Sequence, residues 1–134
     1  MATPALPQLP EDLIAAYAGV NLVGGAKIAT AATLPVMTPA TGAQLGLAAA
    51  SDAAETAAAI EVAATAFPAW SQTPARARGK LVAEAARALS ANAEVIAQVL
   101  ARETGKAIRT ECRGEVATAI DILDFYAGLG SELK

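Results

Sequence analysis

The sequence predicts a mainly α-helical chain with an N-terminal β-ribbon, and three observations carry that prediction. One helical pattern runs from Thr73 to Lys106 and a second from Ile108 to Leu133; between residues 17 and 49, short apolar runs alternate with Gly and Pro turns. Hairpin strands are expected near 21–29 and 34–49, and helices near 52–67, 74–104 and 108–130.

Residues 1–16 mix Pro4, Pro7 and Pro10 with small residues, which predicts an extended or disordered lead-in to the unit spanning 17–134. A strand around Asn21 to Val23, the pair Gly24-Gly25 and the segment Ala26 to Ala29 read as a hairpin. No G-x-G-x-x-G or Walker pattern surrounds that Gly pair and no helix follows it, so a turn is preferred to a phosphate loop. Leu34 to Thr38, the turn Pro39-Ala40-Thr41-Gly42 and Gln44 to Ala49 form a second strand-turn-strand unit.

Asp52 followed by Glu55 is a capping-box signature opening a helix with Thr56, Ile60, Ala63 and Phe67 on one face. Pro68 is expected to end it, because a residue before proline is pushed out of α geometry, with Trp70 as a packing anchor just beyond. Thr73 reads as the N-cap of the central helix and Pro74 as its first residue. Leu81, Ala85, Leu89, Ile96 and Leu100, flanked by Val82 and Val99, form the expected core face. Ser90 to Asn92 is a polar interruption able to split this stretch, and Gly105 stands where a left-handed residue would close it. In the last segment Ile108, Cys112, Val116, Ile120, Leu123 and Ala127 repeat the helical stripe, and Gly114 suggests a close neighbour or a bend.

Composition bounds the chemistry. The chain has 134 residues and is 54 % hydrophobic, but only 4 % aromatic; much of the apolar content is Ala, which favours helix yet buries little area, so the core is thin. A net charge of −3 without a basic patch argues against nucleic acid as a partner. No apolar run reaches a membrane span and the N-terminus lacks a signal-peptide pattern, so a cytoplasmic location without membrane contact is expected. With no histidine, Ser-His and Cys-His nucleophile pairs and His-ligated zinc are impossible within these residues. Cys112 is read as a small buried apolar residue, because Glu111 and Glu115 stand as near in sequence as Arg109 and Arg113 and offset any thiolate-stabilising charge. Asp121, Asp124 and Glu132 are read as a solvated face.

Six short motifs then occur in a recognisable order: Leu22 to Lys27 with its Gly pair, Thr38-Pro39-Ala40-Thr41-Gly42, Ala66-Phe67-Pro68-Ala69-Trp70, Glu103-Thr104-Gly105-Lys106, Arg113-Gly114-Glu115-Val116 and Phe125-Tyr126-Ala127-Gly128. In this order and spacing the chain resembles the N-terminal quarter of an aldehyde dehydrogenase. It departs from the family pattern at Thr38, where the family usually has Asn, and at Ala107, where it usually has Pro.

The resemblance implies an α/β parent fold and a parent enzyme that oxidises an aldehyde through a cysteine thiohemiacetal, passes hydride to NAD or NADP and hydrolyses the thioester. It implies that the catalytic Cys, the water-activating Glu, the oxyanion-hole Asn and the nucleotide motifs lie outside this segment, so no catalytic residue and no cofactor are expected for the chain alone. It also implies that Glu103, with backbone carbonyl oxygen near Val36 and Met37, helps bind a structural monovalent cation; the plain alternative for Glu103 is an exposed last-turn residue. Gly114 and Thr118 match positions that line the substrate entrance tunnel. The present elements would supply a β-ribbon at the oligomerisation surface and helices packed on the Rossmann-type domain, which makes the remainder of an aldehyde dehydrogenase, or self-association, the expected partner. Two readings stay open: a truncated aldehyde dehydrogenase, or a small non-catalytic helical interaction or assembly module.

Overall fold

The computed structural model describes residues 10–130 and Glu132. Its first element corrects the expected lead-in. Helix α1, Pro10–Ala16, starts on a proline whose missing N–H costs nothing in the first turn, and Glu11 and Asp12 sit where negative charge meets the positive end of the helix dipole. Arg102 Nη1 donates to Glu11 Oε1 at 2.7 Å and holds α1 against the central helices. The expectation for residues 1–9 lies outside the described residues.

Two separate antiparallel hairpins follow, as expected. Strands β1, Val20–Val23, and β2, Ala26–Ala29, pair with Val20 opposite Ala29 and Val23 opposite Ala26. The two-residue turn between them needs positive φ at both positions, which Gly24 at 59° and Gly25 at 81° provide. Strands β3, Thr33–Met37, and β4, Gln44–Ala49, form the second hairpin, with a register irregularity between Val36 and Met37. Gly19 N–H donates to Leu47 O at 3.0 Å and ties the hairpins together.

Helix α2, Ala53–Gln72, opens on the predicted capping box: Glu55 N–H donates to Asp52 Oδ1 at 2.8 Å and Asp52 N–H to Glu55 Oε2 at 3.1 Å. The other Glu55 oxygen accepts from Ala31 N–H at 2.9 Å and so fastens the helix start to the ribbon. The expected stop at Pro68 is corrected, since the helix passes through it and Trp70 lies within the last turn. Pro68 is exposed, where water can replace the lost intrahelical bond, and the Ser71 and Thr73 hydroxyls donate to Pro68 O and Ala69 O. The predicted face of α2 is also corrected: Thr56, Ile60, Ala63 and Phe67 are exposed, and only Glu55 and Ala59 are partly covered.

Helix α3, Ala75–Ala91, starts one residue later than expected, with Pro74 at the N-cap position and Thr73 spent on the end of α2. Asn92 separates it from α4, Ala93–Thr104, its side chain donating to Ala88 O at 2.7 Å. Gly105, with φ 76°, closes α4 as predicted. On α3 the core face is rotated from the one predicted. Ala86 is buried and Gly79, Val82, Ala83 and Leu89 are half-buried, whereas Leu81 and Ala85 are exposed. Glycine explains the rotation. A Cβ on Gly79 would collide with the Ala127 carbonyl, and one on Gly130 would lie 2.7 Å from Ala75 O, so α3 crosses the last helix backbone to backbone.

That last helix, α5, Arg113–Leu129, is preceded by a wide π-helical turn, Ile108–Cys112, in which the Glu111 and Cys112 N–H groups both donate to Ala107 O. The predicted stripe is borne out: Cys112 and Val116 are buried and Ile108, Ile120, Leu123 and Ala127 half-buried. The irregularity sits in the π turn, not at Gly114, where an added Cβ would meet nothing within 4 Å. Ala97, Cys112 and Val116 form the core cluster, ringed by Ile96, Leu100, Ile108 and Ile120. Among the described residues no helix is long and apolar enough to cross a membrane.

Candidate functional site

Glu103 is exposed in the last turn of α4, and its carboxylate makes no hydrogen bond or ion pair among the described residues. The positive φ of Gly105 turns the chain so that this glycine packs on Pro39, a virtual Cβ there lying 3.2 Å from the proline Cβ. The C-terminal end of α4 therefore sits beside the turn that follows β3, the strand carrying half-buried Val36 and exposed Met37. A carboxylate at a helix C-terminus is placed unfavourably against the dipole, and a hard cation would relieve it. No group of three or more His, Cys, Asp or Glu suited to a metal occurs among the described residues, so carbonyl oxygens would supply most of any such site.

Gly114 and Thr118 lie one turn apart on α5, both exposed, on the rim of an open depression with Thr110, Glu111 and Ile122. The Thr118 hydroxyl donates to Gly114 O at 2.9 Å, leaving its methyl group as the outward surface. Cys112 does not join them. It is fully buried, and its Sγ donates to Lys106 O at 3.7 Å.

The start of α5 is braced by two ion pairs. Lys106 Nζ meets Glu115 Oε1 at 2.5 Å, and that bond raises the lysine's pKa. Arg113 clamps Glu94 with Nε and Nη2, both at 2.9 Å, and Gln98 adds a third donor at 3.1 Å. These bonds, the arginine's first, hold the Glu94 carboxyl down to about 2 from the ordinary 4.5. A depressed carboxylate pKa contributes stability above the unfolded value that is lost as pH falls through the folded one. Between pH 4.5 and 2 the wild-type chain is therefore expected to lose more thermal stability than Glu94→Gln, read by circular dichroism melts at stepped pH. Equal acid slopes would remove the clamp from the account.

The Gly24-Gly25 pair is not a dinucleotide cradle. Gly24 and Gly25 join two antiparallel strands, whereas a pyrophosphate cradle needs the glycines between a strand and a helix N-terminus. A further meeting point was unseen in the sequence: the Ala66–Trp70 and Phe125–Gly128 motifs converge in space. Trp70 and Tyr126 line one groove with Val82 and Leu129, floored by Gly79 and Gly130. Arg78 lies 6.0 Å from the Trp70 ring, and Phe125 stacks edge-on against Tyr126 at 5.3 Å. Phe125 and Tyr126 are 63 % and 62 % exposed, so this aromatic group is a surface, not a core.

Comparison with known proteins agrees with the motif order. The sequence model described as "Aldehyde dehydrogenase family" matches residues 27–134. Mitochondrial succinate-semialdehyde dehydrogenase from Rattus norvegicus is 32 % identical over 119 residues, covering 88 % of this chain and 23 % of the rat protein. Succinate-semialdehyde dehydrogenase from Burkholderia pseudomallei superposes with a TM-score of 0.81 at 33 % identity, covering 86 % of this chain and 24 % of that one. PnpE, solved in complex with nicotinamide adenine dinucleotide, superposes with a TM-score of 0.80 at 29 % identity, over 84 % and 23 % of the two chains. The chain thus spans about a quarter of the length of these relatives and corresponds to their N-terminal segment.

Proposed function

The chain belongs to the aldehyde dehydrogenase family, and from that premise we propose that it serves as the N-terminal structural segment of an enzyme oxidising an aldehyde to a carboxylic acid with NAD or NADP. In that reaction the aldehyde and water give the acid, and the oxidised nicotinamide leaves as its reduced form with a proton. The segment's own part is to build and cover the site. The supporting observation is the outward aromatic surface: Phe67, Trp70, Phe125 and Tyr126 belong to family motifs yet stand exposed, as expected of faces that the rest of the enzyme covers.

Within such an enzyme Glu103, with backbone carbonyls at Val36 and Met37, holds a monovalent cation, a reading supported by the packing of Gly105 on Pro39. Gly114 and Thr118 border the aldehyde entrance, and their small size leaves it roomy. Grafting residues 17–134 onto the matching remainder of an active homologue tests these roles. The graft is expected to turn over aldehyde, and Glu103→Gln to lose the dependence of its stability on potassium. Thr118→Trp is expected to lower kcat/KM for bulky aldehydes about tenfold relative to small ones. An inactive graft that folds would overturn the enzyme reading. An active graft indifferent to both substitutions would leave only packing to this segment.

A further inference from the structure

We propose that Glu111 sets the charge preference of the aldehyde entrance, favouring aldehydes that bear an ammonium group over those that bear a carboxylate. This role rests on the reading of Gly114 and Thr118 as the border of that entrance, and adds to it the charge of the same rim. Glu111 and Glu115 line the open depression beside Gly114 and Thr118, and every other residue lining it is uncharged. Both carboxylates are exposed, and no cationic residue lines the depression to receive a substrate carboxylate.

The cations nearest in sequence are committed elsewhere. Lys106 Nζ is spent on Glu115 Oε1, and Arg113 on both oxygens of Glu94. Arg109 does not line the depression, and residues two apart on a helical turn, as it and Glu111 are, do not face each other. The Glu111 carboxylate makes no hydrogen bond or ion pair among the described residues, and the Lys106 ammonium feels it only at longer range. Two carboxylates thus stand against one ammonium at this rim, a surplus of one negative charge. The residues between leave room for a charged group to pass close, since Gly114 has no side chain and the Thr118 hydroxyl is turned back onto Gly114 O. A rim charge attracts substrate and transition state alike, so the preference falls on KM and leaves kcat in place. The rim is open to water, which limits the effect to a few fold and lets salt screen it.

The graft of residues 17–134 onto an active homologue carries the test, assayed at low and high salt with two aldehydes of matched chain length. One ends in a quaternary ammonium, which cannot cyclise onto the aldehyde as a primary amine would, and the other in a carboxylate. At low salt Glu111→Gln is expected to lower kcat/KM for the cationic aldehyde about threefold and to raise it for the anionic one about as much, through KM with kcat unchanged. Glu111→Lys is expected to move each about tenfold, and high salt to shrink every shift. Asp121→Asn is the control: this exposed carboxylate on α5 lies outside the depression, so the variant changes net charge equally and is expected to leave the ranking of the two aldehydes alone. An active graft whose ranking ignores Glu111→Gln and Glu111→Lys, or follows Asp121→Asn as closely, would overturn this role of Glu111 and leave the enzyme reading standing. An inactive graft that folds would overturn both.

Discussion

Replacing Gly79 with leucine is expected to cost about 3 kcal/mol, the upper end of what overpacking a tight contact usually costs. Any Cβ at this position meets the Ala127 carbonyl, which belongs to backbone and cannot swing aside. Gly79→Ala is the sharper test. In an open helix it would gain about 1 kcal/mol from propensity, and here the clash reverses the sign. Gly114→Ala supplies the control, since its Cβ enters empty space and is expected to stabilise by up to about 1 kcal/mol. Urea melts followed by helical circular dichroism read all three. A Gly79→Leu chain as stable as wild type would mean that the α3–α5 crossing contributes little to the fold.

The second large effect is one of activity. The isolated chain is expected to leave NAD and NADP unreduced with any aldehyde and to bind neither nucleotide with micromolar affinity. Thiol attack on an aldehyde needs an accessible sulfur with a base at hand. Cys112 is fully buried with its Sγ against Lys106 O, and the sequence holds no histidine. The Gly24-Gly25 turn reverses a hairpin and presents no helix N-terminus to a pyrophosphate. Spectrophotometric assay for the reduced nicotinamide, with calorimetric titration of NAD, measures both halves. Saturable micromolar binding, or turnover that survives Cys112→Ala, would overturn this account.

The motifs that proved informative in the sequence are those whose physics is local. Two adjacent glycines between short strands dictate a tight hairpin, Asp52 and Glu55 close a capping box within one turn, and Gly105 supplies the positive φ that ends α4. The stripe from Ile108 to Ala127 was legible because its apolar residues hold the helical period. Of the candidate site residues, Glu103 was legible as an exposed helix-end carboxylate, and Gly114 and Thr118 as close neighbours on one helix. Their assignment to a site came from motif order.

By itself, then, the sequence determined the family, the order and type of the elements after residue 16, and the turns and caps between them, because each rests on residues a few positions apart. Only the tertiary structure decided which side of α3 is core, where α2 ends and that Pro10–Ala16 is a helix. The α3 face goes to Gly79, Ala83 and Ala86 because close backbone approach to α5 takes the place of large side chains, and Leu81 is left outside. Helix α2 continues through Pro68 because an exposed turn can exchange one intrahelical bond for water. Helix α1 is anchored by contacts with the rest of the fold: Pro10 is buried, and Arg102, 91 residues away along the chain, pairs with Glu11. Contacts at that separation leave no periodic trace in sequence, since they depend on which surfaces the finished fold brings together.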